Sequence, residues 1–168
     1  MFDCLIRGGT IIDGTGNIGF KGDVAVSDNR VTVLRGDTSH VSARTTVDAS
    51  GLVVVPGFID THTHSGLMAL AEPNNEPKLR QGVTTEVIGL DGLGYAPMSG
   101  KNLEMMLVRN SGLDGYPELD YSWRTVPEYL QRFYHRTSGN VAYLIPNSCL
   151  RVETVGWDNR RATAAEIA

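Results

Sequence analysis

The sequence predicts an α/β protein in which a small antiparallel β segment is followed by strand–helix units of a parallel sheet. Two observations support this fold class. The first fifty residues contain short β-rich runs separated by turn residues, which is typical of antiparallel strands. After Gly51 the pattern changes, and apolar strands alternate with helix-compatible stretches, as in parallel β/α units. We therefore expect two segments, residues 1–52 and 53–168.

The first segment contains five β-rich runs, at residues 4–6, 10–12, 24–26, 31–34 and 45–47. Gly8 and Gly9 separate the first two runs, so two strands are expected there. The residues Ser-Asp-Asn-Arg at 27–30 separate the third and fourth runs and predict a hairpin, because Asp and Asn favour tight turns. These features predict a small antiparallel sheet for the whole segment.

An almost continuously apolar run at residues 52–59 lies at the boundary between the segments and predicts one strand buried on both faces. Two further strands are expected at 84–88 and 140–145, with helices at 77–81, 102–108 and 126–135. The region 91–122 is rich in Gly, Pro, Ser and Asp, which indicates a long loop around the second helix. Strand, helix, strand, helix, strand is the order expected of a parallel sheet.

Composition excludes several classes of partner. The chain has 15 Lys and Arg against 19 Asp and Glu, for a net charge of −4, without a basic cluster that would indicate nucleic-acid binding. No apolar run is long enough for a membrane span, and the first residues lack the pattern of a secretory signal. Cys4 and Cys149 form no paired motif, so we expect two reduced thiols in a cytoplasmic protein.

The last residues predict a helix start close to the end of the chain. Thr163 and Glu166 have the spacing of a capping box, in which a Thr at the helix start is followed three residues later by Glu. The sequence stops at Ala168, less than one turn later, and so short a helix is not stable alone. We therefore expect the chain to be truncated.

His62 and His64 follow an apolar strand and are the strongest candidates for chemistry. Residues two apart in a strand point to the same side, so both imidazoles could reach one metal ion or two adjacent ions. Asp60 and Ser65 lie near enough to support them through hydrogen bonds. The alternative is a pair of histidines at a polar strand end without metal.

Several motifs resemble one known family. Residues 55–64, VPGFIDTHTH, closely resemble the first barrel strand of the amidohydrolase superfamily. Residues 79–89 (LRQGVTTEVIG), 95–97 (YAP) and 123–130 (WRTVPEYL) are similar to the D-aminoacylase, or N-acyl-D-amino-acid deacylase, group. Residues 5–16 (LIRGGTIIDGTG) resemble the start of that group's small β-sandwich. The resemblance therefore covers nearly the whole chain.

The resemblance implies a small β-sandwich beside a (β/α)₈ TIM barrel, with one or two zinc ions, although other divalent metals are possible. It makes His62 and His64 metal ligands. Relatives carry a further cysteine ligand in a Gly-Asn-Cys-Gly context, and the matching residues 89–92 here are Gly-Leu-Asp-Gly. Asp91 would then replace the thiolate with a harder carboxylate ligand. The alternative is that Asp91 is only a turn residue before Gly92.

The resemblance further implies a zinc-dependent hydrolase of non-peptide amide C–N bonds, acting on an N-acyl-D-amino acid or a related small amide. Asn147, after the third strand, is a candidate substrate contact or a loop cap. The general base and the remaining ligands would come from later strands, so the isolated chain is expected to be inactive. Two alternatives stay open: a cyclic-amide hydrolase like dihydroorotase or hydantoinase, and a barrel domain that has lost catalysis.

Overall fold

A computed structural model describes residues 1–167 of the chain. The chain divides into two compact units, the first spanning Met1–Pro56 and the second beginning at Gly57. No helix among the described residues is long and apolar enough to cross a membrane. The two cysteines are free thiols; Cys149 is buried and Cys4 is only partly buried.

The first unit is one five-stranded sheet. Its strands are β1 Phe2–Ile11, β2 Phe20–Ser27, β3 Arg30–Leu34, β4 Ala43–Asp48 and β5 Val53–Val54. The order is β3-β2-β1-β4, and β5 also pairs with β1. The expectation of a purely antiparallel sheet is wrong, because β4 and β5 run parallel to β1. After β3 the chain crosses to the far side of β1, and a strand that returns by a crossover arrives parallel.

β1 is one continuous strand, not the two short strands expected around Gly8 and Gly9. The pairing with β2 shifts register between Ile6 and Gly9, which is a β-bulge. Gly8 has φ of 77°, in the left-handed region that favours glycine. Its N–H donates to the buried Asp23 carboxylate at 2.8 Å. The glycines therefore bend the strand without ending it.

The predicted hairpin is confirmed. β2 and β3 pair antiparallel from Asp23 opposite Leu34 to Ser27 opposite Arg30, which leaves a two-residue turn. Asp28 has φ of 52° in this turn, a conformation that Asp adopts more readily than most residues. The buried apolar residues of this unit are Leu5, Ile11, Val24, Ala25 and Ala49.

The second unit contains a parallel sheet with helices along the chain between its strands. The strands are β6 Phe58–Asp60, β7 Val83–Ile88 and β8 Asn140–Tyr143, in the order β6-β7-β8. The helices are α1 Gly66–Ala71, α2 Glu76–Leu79, α3 Gly100–Asp114, α4 Val126–Gln131, α5 Asn147–Val155 and α6 Ala164–Ile167. Both strand pairings are parallel, as the sequence predicts.

The single buried strand expected at 52–59 is wrong. The segment forms two short strands, β5 and β6, which belong to different sheets. Pro56 and Gly57 separate them, because proline has no N–H to donate and glycine weakens a strand. At Gly57 an added side chain would collide with Thr84 on β7. Phe58 and Ile59 are 57% and 61% exposed, so the apolar run is not buried within the described residues.

The helices differ from the sequence prediction mainly in extent. α3 runs through residues expected to be loop, and α1 and α5 were not predicted at all. α4 ends at Gln131 although the apolar pattern continues to His135. The backbone N–H groups of Arg132, Phe133 and Arg136 each donate to a carbonyl three residues earlier, as in a 3₁₀ helix. His135 has φ of 55°, so regular α-helical geometry does not continue through it.

The start of α6 confirms part of the predicted capping box. The Glu166 carboxylate accepts the Thr163 backbone N–H at 2.7 Å, whereas the Thr163 hydroxyl donates to that carboxylate instead of accepting from the helix. A complete box occurs at α4, where Thr125 and Glu128 each accept the other's backbone N–H.

An aromatic cluster forms the centre of the second core. The Trp123 ring lies 4.9 Å from that of Tyr129, which contacts Phe133 and Tyr143 edge-on. Trp123 Nε1 donates to the Tyr95 carbonyl at 2.8 Å, so a buried polar group is satisfied. This core joins the loop after β7 to the helices and thereby supports the ends of the strands.

Candidate metal centre

His62 and His64 lie in the segment directly after β6, which ends at Asp60. They are therefore outside the strand, and its two-residue period does not by itself set their directions. The Asp60 carboxylate accepts the His62 backbone N–H at 3.2 Å and holds the turn. The two imidazole rings lie 5.7 Å apart between centroids.

Asp91 follows β7 in a loop with unusual backbone geometry. Its φ is 55°, and Gly89 and Gly92 also have positive φ values of 83° and 73°. A side chain at Gly89 would collide with the Leu144 carbonyl, so that position requires glycine. Asp is among the few residues that enter the left-handed region at low cost. The loop thus turns sharply after the strand and presents the Asp91 carboxylate.

The three side chains converge on one point. Asp91 Oδ2 lies 3.0 Å from His62 Nε2 and 3.2 Å from His64 Nε2. One donor atom from each residue lies within 4.8 Å of the other two. The His62 contact, with His64 contributing, holds the pKa of Asp91 below its usual range despite the opposing effect of desolvation. The carboxylate is therefore ionised at neutral pH.

This donor set fits a divalent metal ion. Two imidazole nitrogens and a carboxylate oxygen are all zinc ligands, and the three atoms already face one another. The site is open on one side, since the side chains of His62 and Asp91 are 62% and 55% exposed. The open side leaves room for further ligands or a substrate.

Asn147 is not brought into contact with these three residues. It is the exposed first residue of α5, and its side chain makes no hydrogen bond within residues 1–167. Its neighbour Ser148 donates its backbone N–H to the Gly92 carbonyl at 3.2 Å. The start of α5 is therefore attached to the loop that carries Asp91.

Asp114, which no sequence motif marks, lies behind His64. His64 Nδ1 is 3.2 Å from Asp114 Oδ1, and the Tyr95 hydroxyl donates to Asp114 Oδ2 at 2.5 Å. Burial, reinforced by the Asp114 carboxylate, raises the pKa of Tyr95 far above its ordinary value, so the hydroxyl keeps its proton. Asp114 is the last residue of α3, in a region for which the sequence predicts a loop, and no sequence motif links it to His64.

A second buried network lies beneath the histidines. Glu86 on β7 is 2% exposed; it accepts hydrogen bonds from Ser65 at 2.5 Å and from Asn75 at 2.6 Å. Lys78 Nζ lies 3.4 Å from Glu86 and hydrogen-bonds to Asp60. Asp60 therefore supports the His62 backbone, and Ser65 belongs to the Glu86 network. The sequence suggested that both would hydrogen-bond to the imidazole rings, but neither does.

Known proteins share this arrangement of elements. An N-acyl-D-aspartate deacylase of Alcaligenes xylosoxydans xylosoxydans is 38% identical over 99% of this chain and 32% of its own length. A D-aminoacylase described with a binuclear metal centre superposes with a TM-score of 0.79 and 36% identity, over 99% of this chain and 34% of that one. An N-acyl-D-glutamate deacylase from Bordetella bronchiseptica, complexed with zinc and a phosphonate inhibitor, superposes with a TM-score of 0.78 and 34% identity over 98% of this chain and 34% of that one.

The chain thus spans about a third of the length of these relatives. Residues 45–144, which include both histidines and Asp91, match the family model described as "Amidohydrolase family". This match covers more than half of the chain, and the chain therefore belongs to the amidohydrolase family.

Proposed function

We propose that this chain is the metal-binding N-terminal part of a zinc-dependent N-acyl-D-amino-acid deacylase. The convergence of His62, His64 and Asp91 is the observation that carries the proposal. The similarity to deacylases that act on N-acyl-D-aspartate and N-acyl-D-glutamate supports the substrate class. On this proposal β6, β7 and β8 are the first three strands of a (β/α)₈ barrel, and the first unit, Met1–Pro56, is a separate small β domain, which extends past the boundary at residue 52 expected from the sequence.

The two histidines and Asp91 would hold zinc at the carboxyl ends of adjacent strands, where barrel enzymes place their active sites. Zinc supplies Lewis acidity, which polarises the amide carbonyl and brings the pKa of the attacking water to about 7. The chain's own contribution is to direct three donors at one point and to neutralise part of the metal charge with an ionised Asp91.

Asn147 is proposed as a substrate contact. It is exposed at the start of α5, and Ser148 beside it bonds to the loop that carries Asp91. An amide side chain both donates and accepts hydrogen bonds, so it suits the acyl amide or the carboxylate of an N-acyl amino acid. We also propose a cytoplasmic location, which the two free thiols support.

The test measures zinc content and turnover in the full-length protein. Purified enzyme is offered N-acetyl-D-amino acids, their L enantiomers, and the cyclic amides hydantoin and dihydroorotate. We expect hydrolysis of the D-amino-acid derivatives. His62→Ala and His64→Ala should each abolish turnover and lower zinc affinity more than about 100-fold, because loss of a ligand exceeds the usual effect of an outer partner.

His40→Ala is the matched control, because His40 is an exposed residue in a turn of the first unit. This variant should keep wild-type zinc content and turnover. Full zinc content and full turnover in His62→Ala would contradict the metal site and favour a binding domain without catalysis. Preferential hydrolysis of the cyclic amides would instead favour a hydantoinase-like enzyme.

A further inference from the structure

We propose that Asp114 is a positioning residue that orients His64 for metal binding, an inference that rests on the metal site proposed above. His64 is contacted at both ring nitrogens. Nε2 faces Asp91 Oδ2 at 3.2 Å, and Nδ1 faces Asp114 Oδ1 at 3.2 Å. A neutral imidazole that binds metal through one nitrogen carries its proton on the other, and a carboxylate there selects that tautomer.

The position of Asp114 is energetically unfavourable for a negatively charged side chain. It is the last residue of α3, where the helix dipole disfavours a negative charge. It is also only 6% exposed, so its carboxylate has little contact with water. A buried carboxylate requires a partner of opposite charge or a set of hydrogen bonds. Within the described residues its close polar contacts are Tyr95 and His64.

Tyr95 holds the Asp114 carboxylate in place. Its hydroxyl donates to Oδ2, which leaves the buried Oδ1 without a hydrogen-bond partner of its own and 3.2 Å from His64 Nδ1. Tyr95 is itself anchored, because its carbonyl accepts from Trp123 at 2.8 Å and its backbone N–H donates to the Tyr143 hydroxyl at 3.3 Å. The orientation of His64 is thus connected to the aromatic core through Asp114 and Tyr95.

The space behind the imidazole is nearly filled. The cavity bounded by His64, Asp114 and Tyr95 has a volume of about 10 Å³, which is at the lower limit for one water molecule. The side chain of His64 is 21% exposed, against 62% for His62. His64 is therefore the fixed ligand of the pair, and a change at Asp114 should affect metal geometry at this residue.

The experiment compares Asp114→Asn, Tyr95→Phe and a matched control in the full-length protein. Zinc affinity is measured by competition with a chromophoric chelator, and ligand geometry by the visible absorption bands of the cobalt-loaded protein. Asp114→Asn keeps the shape of the side chain and removes its charge, so we expect about 10- to 100-fold weaker zinc binding with shifted cobalt bands. Tyr95→Phe removes one hydrogen bond to Asp114 and should weaken binding about threefold.

Asp120→Asn is the control, because Asp120 is an exposed carboxylate paired with Arg132. It should change neither measurement. Wild-type zinc affinity in Asp114→Asn would overturn the proposal, and so would weaker binding with an unchanged cobalt spectrum, since that combination indicates a structural role only. If Asp114→Asn failed to fold, wild-type affinity in Tyr95→Phe would overturn it. Absence of zinc binding in the wild-type protein would instead reject the metal site itself.

Discussion

Replacing Lys78 with Met should loosen the sheet beneath the histidines. Lys78 is the cation of a network in which Glu86 is 2% exposed and Asp60 is partly exposed. Burial acts to lower the pKa of Lys78, but its contacts with Asp60 and Glu86 outweigh that effect and raise it. Methionine keeps most of the apolar stem and removes the charge, so the substitution tests the electrostatic contribution rather than packing.

The expected loss follows from burial and distance. Removing one partner of a buried ion pair costs about 3–5 kcal/mol, because the other charge is left without compensation. Here the loss should be smaller, since Glu86 keeps its bonds to Ser65 and Asn75, and the Lys78 side chain is 25% exposed. In Lys78→Met we expect the free energy of local opening of β7 to be about 2–3 kcal/mol lower than in the wild type. Amide exchange in β7 should therefore be about 30- to 150-fold faster.

Hydrogen exchange of the metal-free full-length protein measures this loss directly, because it reports the opening of individual segments. Peptides covering residues 83–88 should exchange faster in Lys78→Met, whereas Lys101→Met, at an exposed position of α3, should leave them unchanged. The double variant with Glu86→Gln should lose less than the sum of the single losses, with a coupling of about 1–2 kcal/mol. Unchanged exchange in Lys78→Met, or strict additivity in the double variant, would refute the reasoning.

Two further predictions concern the metal site and the isolated chain. Asp91→Cys should retain zinc and bind it at least as tightly, because thiolate is a softer ligand than carboxylate. The left-handed backbone at this position should cost the variant about 1 kcal/mol of folding stability. Loss of zinc in a competition assay would contradict the prediction. Residues 1–168 expressed alone should aggregate, because the apolar side chains of Ile59 and Ile145 are 61% and 53% exposed. They should also lack activity, because the remaining ligands and the general base are expected on later strands. A sharp cooperative melt from a monodisperse monomer would contradict the predicted aggregation.

Local turn chemistry is predicted from this sequence more reliably than long-range strand pairing. Turn residues between β2 and β3 specify a hairpin because Asp and Asn tolerate the required backbone angles. Gly8 and Gly9 suggest a chain break from sequence alone, yet the pairing of β1 with β2 and the buried Asp23 carboxylate convert them into a bulge. Such long-range contacts have no local signature, so a strand and a turn cannot be distinguished there from composition.

The same limit applies to the site. The spacing of His62 and His64 and the loop position of Asp91 are visible as local patterns after apolar strands. Asp114 lies 50 residues beyond His64, in a region rich in loop-forming residues. Its role depends on where α3 ends in space, which is decided by packing of that helix against the core. A residue that acts through another residue is therefore found only from the fold.

The two histidines are held by different means, and this difference bears on how the site would work. His64 is partly buried and contacted on both nitrogens, whereas His62 is exposed and contacts Asp91 through Nε2 alone. A ligand whose orientation is fixed by its neighbours preserves the geometry of a metal site. Asp91 contacts both imidazoles, so its carboxylate links the partly buried histidine to the exposed one. On the proposed metal site, substitutions behind His64 should therefore lower metal affinity by misplacing a ligand, whereas replacing His62 or His64 itself should remove one.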